Sequence, residues 1–384
     1  MQTESSIKTF EQLKIKTDLL KGVYLYGFKN PSKIQIKGIS AISTGKDCLL
    51  QSQSGTGKTG TYLLGVLNKI NPEKKCCQIL VMVPTRELAD QVVKVCRNFI
   101  KYTSINMASC IGGTSINNNI NNLKKAHIII GTTGRIEHMI KLRHINLKKL
   151  ECMVLDEADT MLSFGFKEKI NDIMKYITSN IQKCLLSATV PKLILDITKE
   201  MMDNPIKVLL KKEDVTVKAI KQYYLDTEIE DYKFDILLDL YQLISASQTI
   251  IFCNTIRKVN WIAENLKEKN YPITIIHGKM SQQERNNTVE DFRTGKTRLL
   301  LTTDLLARGI DIPQVNLVIN YDIPYNKETY IHRIGRSGRF GKVGVAITLV
   351  KFQDEIDKKL YDKLKYHYKM DINELPENIS DYLN

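Results

Sequence analysis

No stretch of this 384-residue chain approaches the run of about eighteen consecutive apolar residues that a membrane-spanning helix needs. Its start, "MQTESSIKTF", lacks the charged-then-apolar layout of a secretory signal. Both absences point to a soluble intracellular protein with no membrane partner. Cysteine occurs eight times (48, 76, 77, 96, 110, 152, 184, 253) but never in C-x-x-C spacing. That pattern excludes a disulfide framework and a zinc site, and it suits a reducing compartment. Neither end carries a proline-rich or glycine-rich tail. What remains is long enough for two domains of ordinary size, each with its own core.

Acidic residues are also short, and unevenly so. Residues 1–210 hold 30 Lys and Arg against 17 Asp and Glu, a net of +13, whereas residues 211–384 hold 26 against 25. A basic surface of this kind favours a polyanion, nucleic acid first. The competing reading is a solvated lysine-rich surface in a chain rich in Lys, Ile and Asn. Charge alone does not separate the two.

Short apolar runs alternate with helix-length segments, the rhythm of a parallel sheet covered by helices. In the first half the expected strands are 48–52, 78–84, 127–132, 152–157 and 184–189. The second half repeats the scheme at 248–254, 272–278, 298–304, 317–322 and 344–350. Between them "LLKKEDVTVK" (209–218) has a charge cluster and no apolar period, and reads as a linker. The domains expected are therefore 1–208 and 219–384. Ligands of open parallel sheets bind beyond the carboxyl ends of the strands, so the polar residues there are the ones to question.

"SQSGTGKTG" (52–60) follows the first strand and precedes a helix-like segment. Ser54, Gly55, Thr56 and Gly57 let backbone N–H groups face a phosphate, and the helix N-terminus adds a favourable dipole. Lys58 then reaches the β- and γ-phosphates, and the Thr59 hydroxyl holds magnesium. Ser52 stands at the first glycine position of the usual motif. An ordinary glycine-rich turn is the plainer alternative.

About a hundred residues on, "CMVLDEADTM" (152–161) crowds Asp156, Glu157 and Asp159 into four positions with no lysine or arginine beside them. A divalent ion offsets such mutual repulsion. Asp156 is expected to hold magnesium and Glu157 to orient or deprotonate the attacking water, while Asp159 ties the site to other residues. In the second half "HRIGRSGR" (332–339) sets four basic side chains along eight residues. It reads either as an exposed basic loop or as a source of arginine fingers, Arg336 and Arg339. Fingers of that kind are worth roughly 10³–10⁵ in rate.

With these elements in this order the chain resembles the DEAD-box RNA helicases, and D-E-A-D stands unaltered at 156–159. The resemblance covers nearly the whole chain and implies an α/β fold of two tandem RecA-like domains, each a parallel sheet flanked by helices. "GFKNPSKIQ" (27–35) resembles the adenine-recognition motif. There the Gln35 amide reads the base edge, Lys29 joins the nucleotide set, and Phe10, seventeen positions before Gly27, packs on the ring. "PTRELA" (Pro84, Thr85, Arg86), "GG" (Gly112, Gly113) and "TTGR" (Thr132, Gly134, Arg135) resemble the RNA contacts of the first domain. "SAT" (Ser187, Thr189) resembles the element coupling hydrolysis to strand separation. Asn254 in "IFCNT", Arg285 in "QQER" and Thr302 in "TTD" resemble the second domain's RNA side. Gly309 and Asp311 of "ARGID" would serve the ATP ribose, and His332 would bridge to the D-E-A-D residues.

Two departures stand out: Ser52 replaces a common alanine, and Thr133 replaces the proline of T-P-G-R, which helps place a helix that bends the bound strand. The resemblance implies an RNA-dependent ATPase that uses ATP and Mg2+. RNA would be read through its backbone and 2′-hydroxyls. One tryptophan in the chain, and hardly any aromatic residue in the RNA-side motifs, agrees with that. ATP and RNA should each promote binding of the other, by typically ~1–3 kcal/mol. Within the family the chain is most similar to the translation initiation factor 4A subfamily, which implies a cytoplasmic monomer working with an initiation-factor scaffold and accessory activators. The alternatives are an ATP-locked RNA clamp or a ribosome-assembly helicase, nuclear or nucleolar, and then a DNA helicase.

Overall fold

Most strands in the middle of either sheet carry consecutive apolar residues, because such strands are covered on both faces. In the computed structural model, which describes residues 7–52, 55–113, 117–162, 166–177, 180–209, 220–243, 248–304, 315–337, 344–368 and 370–376, these strands belong to two compact units. The units are Met1–Leu210 and Lys211–Asn384. The proposed linker lies, beyond Leu209, outside the described residues.

The first unit contains β1 (Cys48–Gln51), β2 (Ile79–Val83), β3 (Met107–Cys110), β4 (Ile128–Thr132), β5 (Cys152–Leu155), β6 (Gln182–Ser187) and β7 (Ile206–Val208). They form one sheet in the order β3-β4-β2-β5-β6-β1-β7, with every pairing parallel. Successive side chains of a strand point to opposite faces. Ile79, Val81 and Val83 of β2 accordingly enter one core, whereas Leu80 and Met82 enter the other. The first core is closed by α1 (Thr17–Leu25), α2 (Lys33–Ser43), α3 (Lys58–Leu67) and α4 (Arg86–Phe99). The second is closed by α5 (Asn117–Lys125), α6 (Thr133–Lys141), α7 (Ala158–Met161), α8 (Lys167–Met174) and α9 (Lys192–Met201).

The second unit contains β8 (Ile220–Asp226), β9 (Gln248–Phe252), β10 (Ile273–Ile276), β11 (Leu299–Thr302), β12 (Val315–Asn320), β13 (Gly344–Val350) and β14 (Ile372–Glu374). Its helices are α10 (Tyr232–Leu243), α11 (Ile256–Glu268), α12 (Gln282–Arg293), α13 (Lys327–Ile334) and α14 (Glu355–Tyr368). The sheet order, β10-β11-β9-β12-β13-β8-β14, repeats that of the first unit position for position, again all parallel.

Ten strands fall where the apolar runs place them, and four do not. β3, β7 and β14 are edge strands and β8 is next to an edge. Their burial is mixed rather than continuous, as in the alternating pattern of β3. One-sided burial leaves no apolar run to read. The eight cysteines are all free. Cys152 and Cys184 approach to 3.8 Å between sulfurs on neighbouring strands, well beyond a bond of about 2.05 Å.

Candidate active site

Because all pairings are parallel, the carboxyl ends of the strands share one edge, and the strand order divides it. β1, β6 and β5 lie together and end in the phosphate loop, S-A-T and D-E-A-D. β3, β4 and β2 lie together and end in G-G, T-T-G-R and P-T-R. The sequence order of these motifs does not show this partition.

After β1 the chain turns through Gly55 (φ +78°) and Gly57 (φ +96°), a left-handed region that favours glycine, and enters α3. A Cβ on Gly57 would stand 2.7 Å from Gln35 Nε2, so the glycine also admits that side chain. Gln35 is held in a capping box on α2: its Oε1 accepts from the Ser32 N–H at 2.8 Å, and its own N–H donates to Ser32 Oγ at 3.4 Å. Ser32 Oγ donates onward to the Thr56 carbonyl at 2.9 Å. Ser52 Oγ bonds Thr56 Oγ1, so the serine at the first glycine position braces the loop rather than disturbing it. Ser54 lies outside the described residues.

β5 delivers Asp156 and Glu157, both buried. Glu157 takes φ +52° to cap α7, an uncommon conformation for a side-chain-bearing residue. Its N–H donates to Asp156 Oδ1 at 2.9 Å, and its Oε1 stands 3.5 Å from Lys58 Nζ. Burial, then the neighbouring Glu157 charge, pushes the Asp156 carboxyl up to about 6, and Lys58 offsets this only in part. Asp159 accepts a short hydrogen bond from Thr189 Oγ1. The Thr189 N–H donates to Ser187 Oγ at 3.3 Å, and the Ser187 carbonyl accepts from the Ser52 N–H at 3.1 Å. D-E-A-D, S-A-T and the phosphate loop are therefore one hydrogen-bonded assembly.

On the other stretch of the edge, Thr85 caps α4 by accepting from Leu88 N–H at 3.2 Å. The Arg86 guanidinium lies over the diglycine: a Cβ on Gly113 (φ +85°) would stand 2.8 Å from Nη1, and one on Gly112 3.2 Å from Nη2. Two separately read motifs thus form one surface. Thr132 caps α6, Thr133 is its buried first residue, Gly134 is exposed and Arg135 is half-buried. The helix starts at the position where the family's proline would stand, because the first helical N–H needs no intrahelical partner.

Several expected contacts are placed differently. Phe10 is fully buried, stacked on Phe28 with centroids 6.2 Å apart, so it presents no open face to a base. The ring that reaches α3 is Phe28, whose Cε2 would stand 2.7 Å from a Cβ on Gly60. Lys29 is exposed. Asn254 is engaged within the second unit: its N–H donates to Asp322 Oδ2 at 2.9 Å, its Nδ2 to the Ile323 carbonyl at 2.9 Å, and its Oδ1 accepts from Arg333 at 2.7 Å. It positions the β9 turn rather than offering its amide to a nucleic acid. Thr302 is wholly buried with its hydroxyl on the Thr303 carbonyl, and Arg285 is buried on α12, donating to Gln282 Oε1 at 3.1 Å. Arg336 donates from Nε to the His332 carbonyl at 3.3 Å within the turn after α13. Gly309, Asp311 and Arg339 lie outside the described residues.

Sequence reasoning passed over Arg333. Its guanidinium donates to Asp304 at 2.6 Å, to the Asp322 carbonyl at 2.8 Å and to Asn254, and stacks 5.3 Å from the Phe252 ring centroid. It ties together the ends of β9, β11 and β12. A run of four basic residues gave no signal that one of them faces inward.

A phosphate loop tied to paired carboxylates on one sheet, with a second sheet of the same topology in the chain, defines a two-domain nucleoside triphosphatase. Residues 32–197 match the DEAD/DEAH box helicase family and residues 232–341 the helicase conserved C-terminal domain. The chain is 46% identical over 373 residues to ATP-dependent RNA helicase FAL1 of Meyerozyma guilliermondii, covering 97% of this chain and 93% of that protein. It is 44% identical over 378 residues to eukaryotic initiation factor 4A of Caenorhabditis elegans, covering 98% and 93%. The solved structure of S. cerevisiae Dbp5 bound to RNA and ADP BeF3 superposes with a TM-score of 0.92 at 35% identity, covering 98% of this chain and 97% of that one. This chain belongs to the DEAD-box family of ATP-dependent RNA helicases.

Proposed function

We propose that ATP is hydrolysed at the β1–β5–β6 part of the first unit's edge, with RNA gripped by its backbone along the β2–β3–β4 part. The observation that carries this is the continuous tie from Ser52 through Ser187 and Thr189 to Asp159, because it gives hydrolysis a mechanical route to the neighbouring strands. In this reading Gly55, Thr56, Gly57 and Lys58 hold the phosphates, Gln35 and Lys29 serve the base, and Glu157 orients or deprotonates the water. The strained backbone of Glu157 aims its carboxylate toward Lys58 rather than along the strand. Asp156 and the Thr59 hydroxyl are hard oxygen donors of the kind magnesium takes, and Asp156 is a buried carboxylate whose charge Lys58 only partly offsets. Magnesium bound there supplies neutralisation of phosphate charge. From the second unit, Arg336 and Arg339 act as fingers on the γ-phosphoryl group, Asp311 and Gly309 serve the ribose, and His332 links to D-E-A-D when the units close on ATP.

The role we assign is that of an initiation factor 4A-type helicase: a cytoplasmic monomer that separates short duplexes and works with a scaffold and accessory activators. Similarity to the factor of C. elegans across nearly the whole chain supports it. A second reading, an RNA clamp or ribosome-assembly helicase of the same subfamily, is favoured by the basic first half. Glu157→Gln tests the chemistry. ATP and RNA binding should persist while turnover falls about 10²–10⁴-fold; undiminished turnover refutes the role of Glu157. Co-purification with an initiation scaffold rather than with ribosome precursors separates the two roles.

A further inference from the structure

The positive charge of the first unit is not on the edge that carries the motifs. Consider the connections leaving its strands, with the first three residues of each following helix. They hold Lys58, Arg86, Arg135 and Lys192 against Glu87, Asp156, Glu157 and Asp159, a balance. The connections entering the strands, with the last three residues of each preceding helix, hold 14 Lys and Arg against 6 Asp and Glu. The excess lies on the opposite rim of the sheet.

That rim is a defined row. His127 N–H donates to the Asn106 carbonyl at 2.9 Å, Gln78 N–H to His127 at 2.8 Å, Glu151 N–H to Gln78 at 2.8 Å and Gln182 N–H to Glu151 at 3.0 Å. Asp47 continues it, its carbonyl accepting from Ile206 N–H at 2.8 Å. Lys46, Lys75, Lys124, Lys125, Lys148 and Lys149 each stand within three residues of this row. All six are exposed, and none makes an ion pair among the described residues. The rim's acids are partly neutralised already: Glu151 pairs with Lys74 at 2.9 Å and Asp47 with Lys183 at 3.6 Å. From β4 to β1 the row spans about 19 Å, at about 4.8 Å per strand, enough for several successive phosphates.

Two plainer causes fall short. Helix carboxyl ends also gather on this rim, and their dipoles attract lysine, which accounts for Lys124 and Lys125 at the end of α5. Lys46, Lys75, Lys148 and Lys149 are in loops. A lysine-rich composition would act on both units alike, yet residues 211–384 are balanced. Beside β11 in the second unit, Lys296 is paired with Asp291 at 2.6 Å and Arg293 with Glu290 at 3.2 Å.

We propose that the amino-end rim of the first sheet is a second RNA-binding surface, which takes a flanking segment of the RNA gripped at the opposite edge. Its occupant follows from charge complementarity with the polyanion this family already engages, and the proposal rests on the helicase reading above. Binding there is to phosphates and carries no sequence preference.

The test compares wild type with the quadruple variant Lys124→Ala, Lys125→Ala, Lys148→Ala, Lys149→Ala. Affinity is measured by fluorescence anisotropy with a non-hydrolysable ATP analogue, from about 50 to about 200 mM salt. One probe is a single strand of about 10 nucleotides; the other carries the same strand joined to a hairpin, about 40 nucleotides in all. The variant should bind the short probe as wild type does and the long one about tenfold more weakly. Its salt slope on the long probe should be shallower by about 0.7–0.9 for each phosphate that the lysines no longer neutralise. Unchanged binding of the long probe overturns the proposal. So does an equal weakening on both probes, since it would mean a general field and not a surface. A variant that no longer binds poly-glutamate yet holds the long probe as wild type does assigns the rim to an acidic protein and overturns it too. A wild-type protein that binds neither RNA overturns the helicase reading beneath it.

Discussion

The two units share one strand order and use the same place in it for opposite ends. After β1 the first unit turns through glycines and leaves Lys58 and Thr59 at the start of α3 for a ligand. After β8 the second unit runs Thr227-Glu228-Ile229-Glu230 with no glycine, and Lys233, second in α10 as Thr59 is in α3, is 2% exposed. Lys233 lies 3.2 Å from Glu230 and 3.8 Å from Asp322. Lys258 reaches both acids at 2.7 Å. Burial works against the charges, but the lysines outweigh it and hold Glu230 down at about 2, while Asp322 and Glu230 hold Lys258 well above its usual range. The same topological corner is a place for an incoming phosphate in one unit and a closed internal salt network in the other. Topology therefore supplies a site's position, and a few residues decide whether it is open.

The sharpest way to break this comparison is to remove the lysine that each unit carries in the first turn of this helix. Lys233→Ala takes from buried Asp322 one of its two lysines, leaving Lys258 alone to hold it, and should cost about 3 kcal/mol of second-unit stability, read by denaturant unfolding. Lys58→Ala should abolish ATP turnover and, because it removes only a longer 3.5 Å contact to Glu157, cost less in unfolding than Lys233→Ala. Equal destabilisation by both would end the distinction.

Next in size is the repulsion held at D-E-A-D. The folded pKa of Asp156 is raised from 3.8 to about 6, so the native state binds more protons than the unfolded one in that interval. Stability should fall as pH rises through it, by up to about 3 kcal/mol at neutral pH. Asp156→Asn should recover that amount without nucleotide at pH 7, and the gain should shrink as pH drops below about 6. A gain that grows toward acid would reverse the assignment.

Thr189→Val removes the bond to Asp159 and should cost about 1 kcal/mol, while duplex separation falls more than RNA-stimulated ATPase. Parallel losses in the two assays would mean that the tie is only structural. Smallest is Thr133→Pro. Thr132 is already extended at φ −95°, ψ 143°, as a residue before proline must be. A stabilisation of about 0.5 kcal/mol is expected, seen as a slight rise in melting temperature; a fall would show that the buried Thr133 side chain matters more than the backbone.

S-A-T was legible only through the family resemblance, whereas the phosphate loop and D-E-A-D were legible in the chain because their chemistry depends on contiguous residues, a turn that needs glycine and carboxylates ending a strand. Ten strands were legible for the same reason, as unbroken apolar runs. The residues that escaped act at a distance in sequence. Arg333 gathers Asn254, Asp304 and Asp322, and nothing within its own octapeptide shows that it turns inward while Arg336 belongs to the following turn. Phe10 read as an open ring, and its burial against Phe28 depends on how α1 and α2 fold over it.

By itself, then, the sequence determined the periodicity, the nucleotide chemistry and the size of the charge excess, all of them properties of neighbouring residues. Only the tertiary structure decided that the strand order splits one edge into two stretches and that the exposed lysines collect on the other rim. Strand order is a property of non-local pairing, so residues far apart in the chain become neighbours only when the sheet assembles.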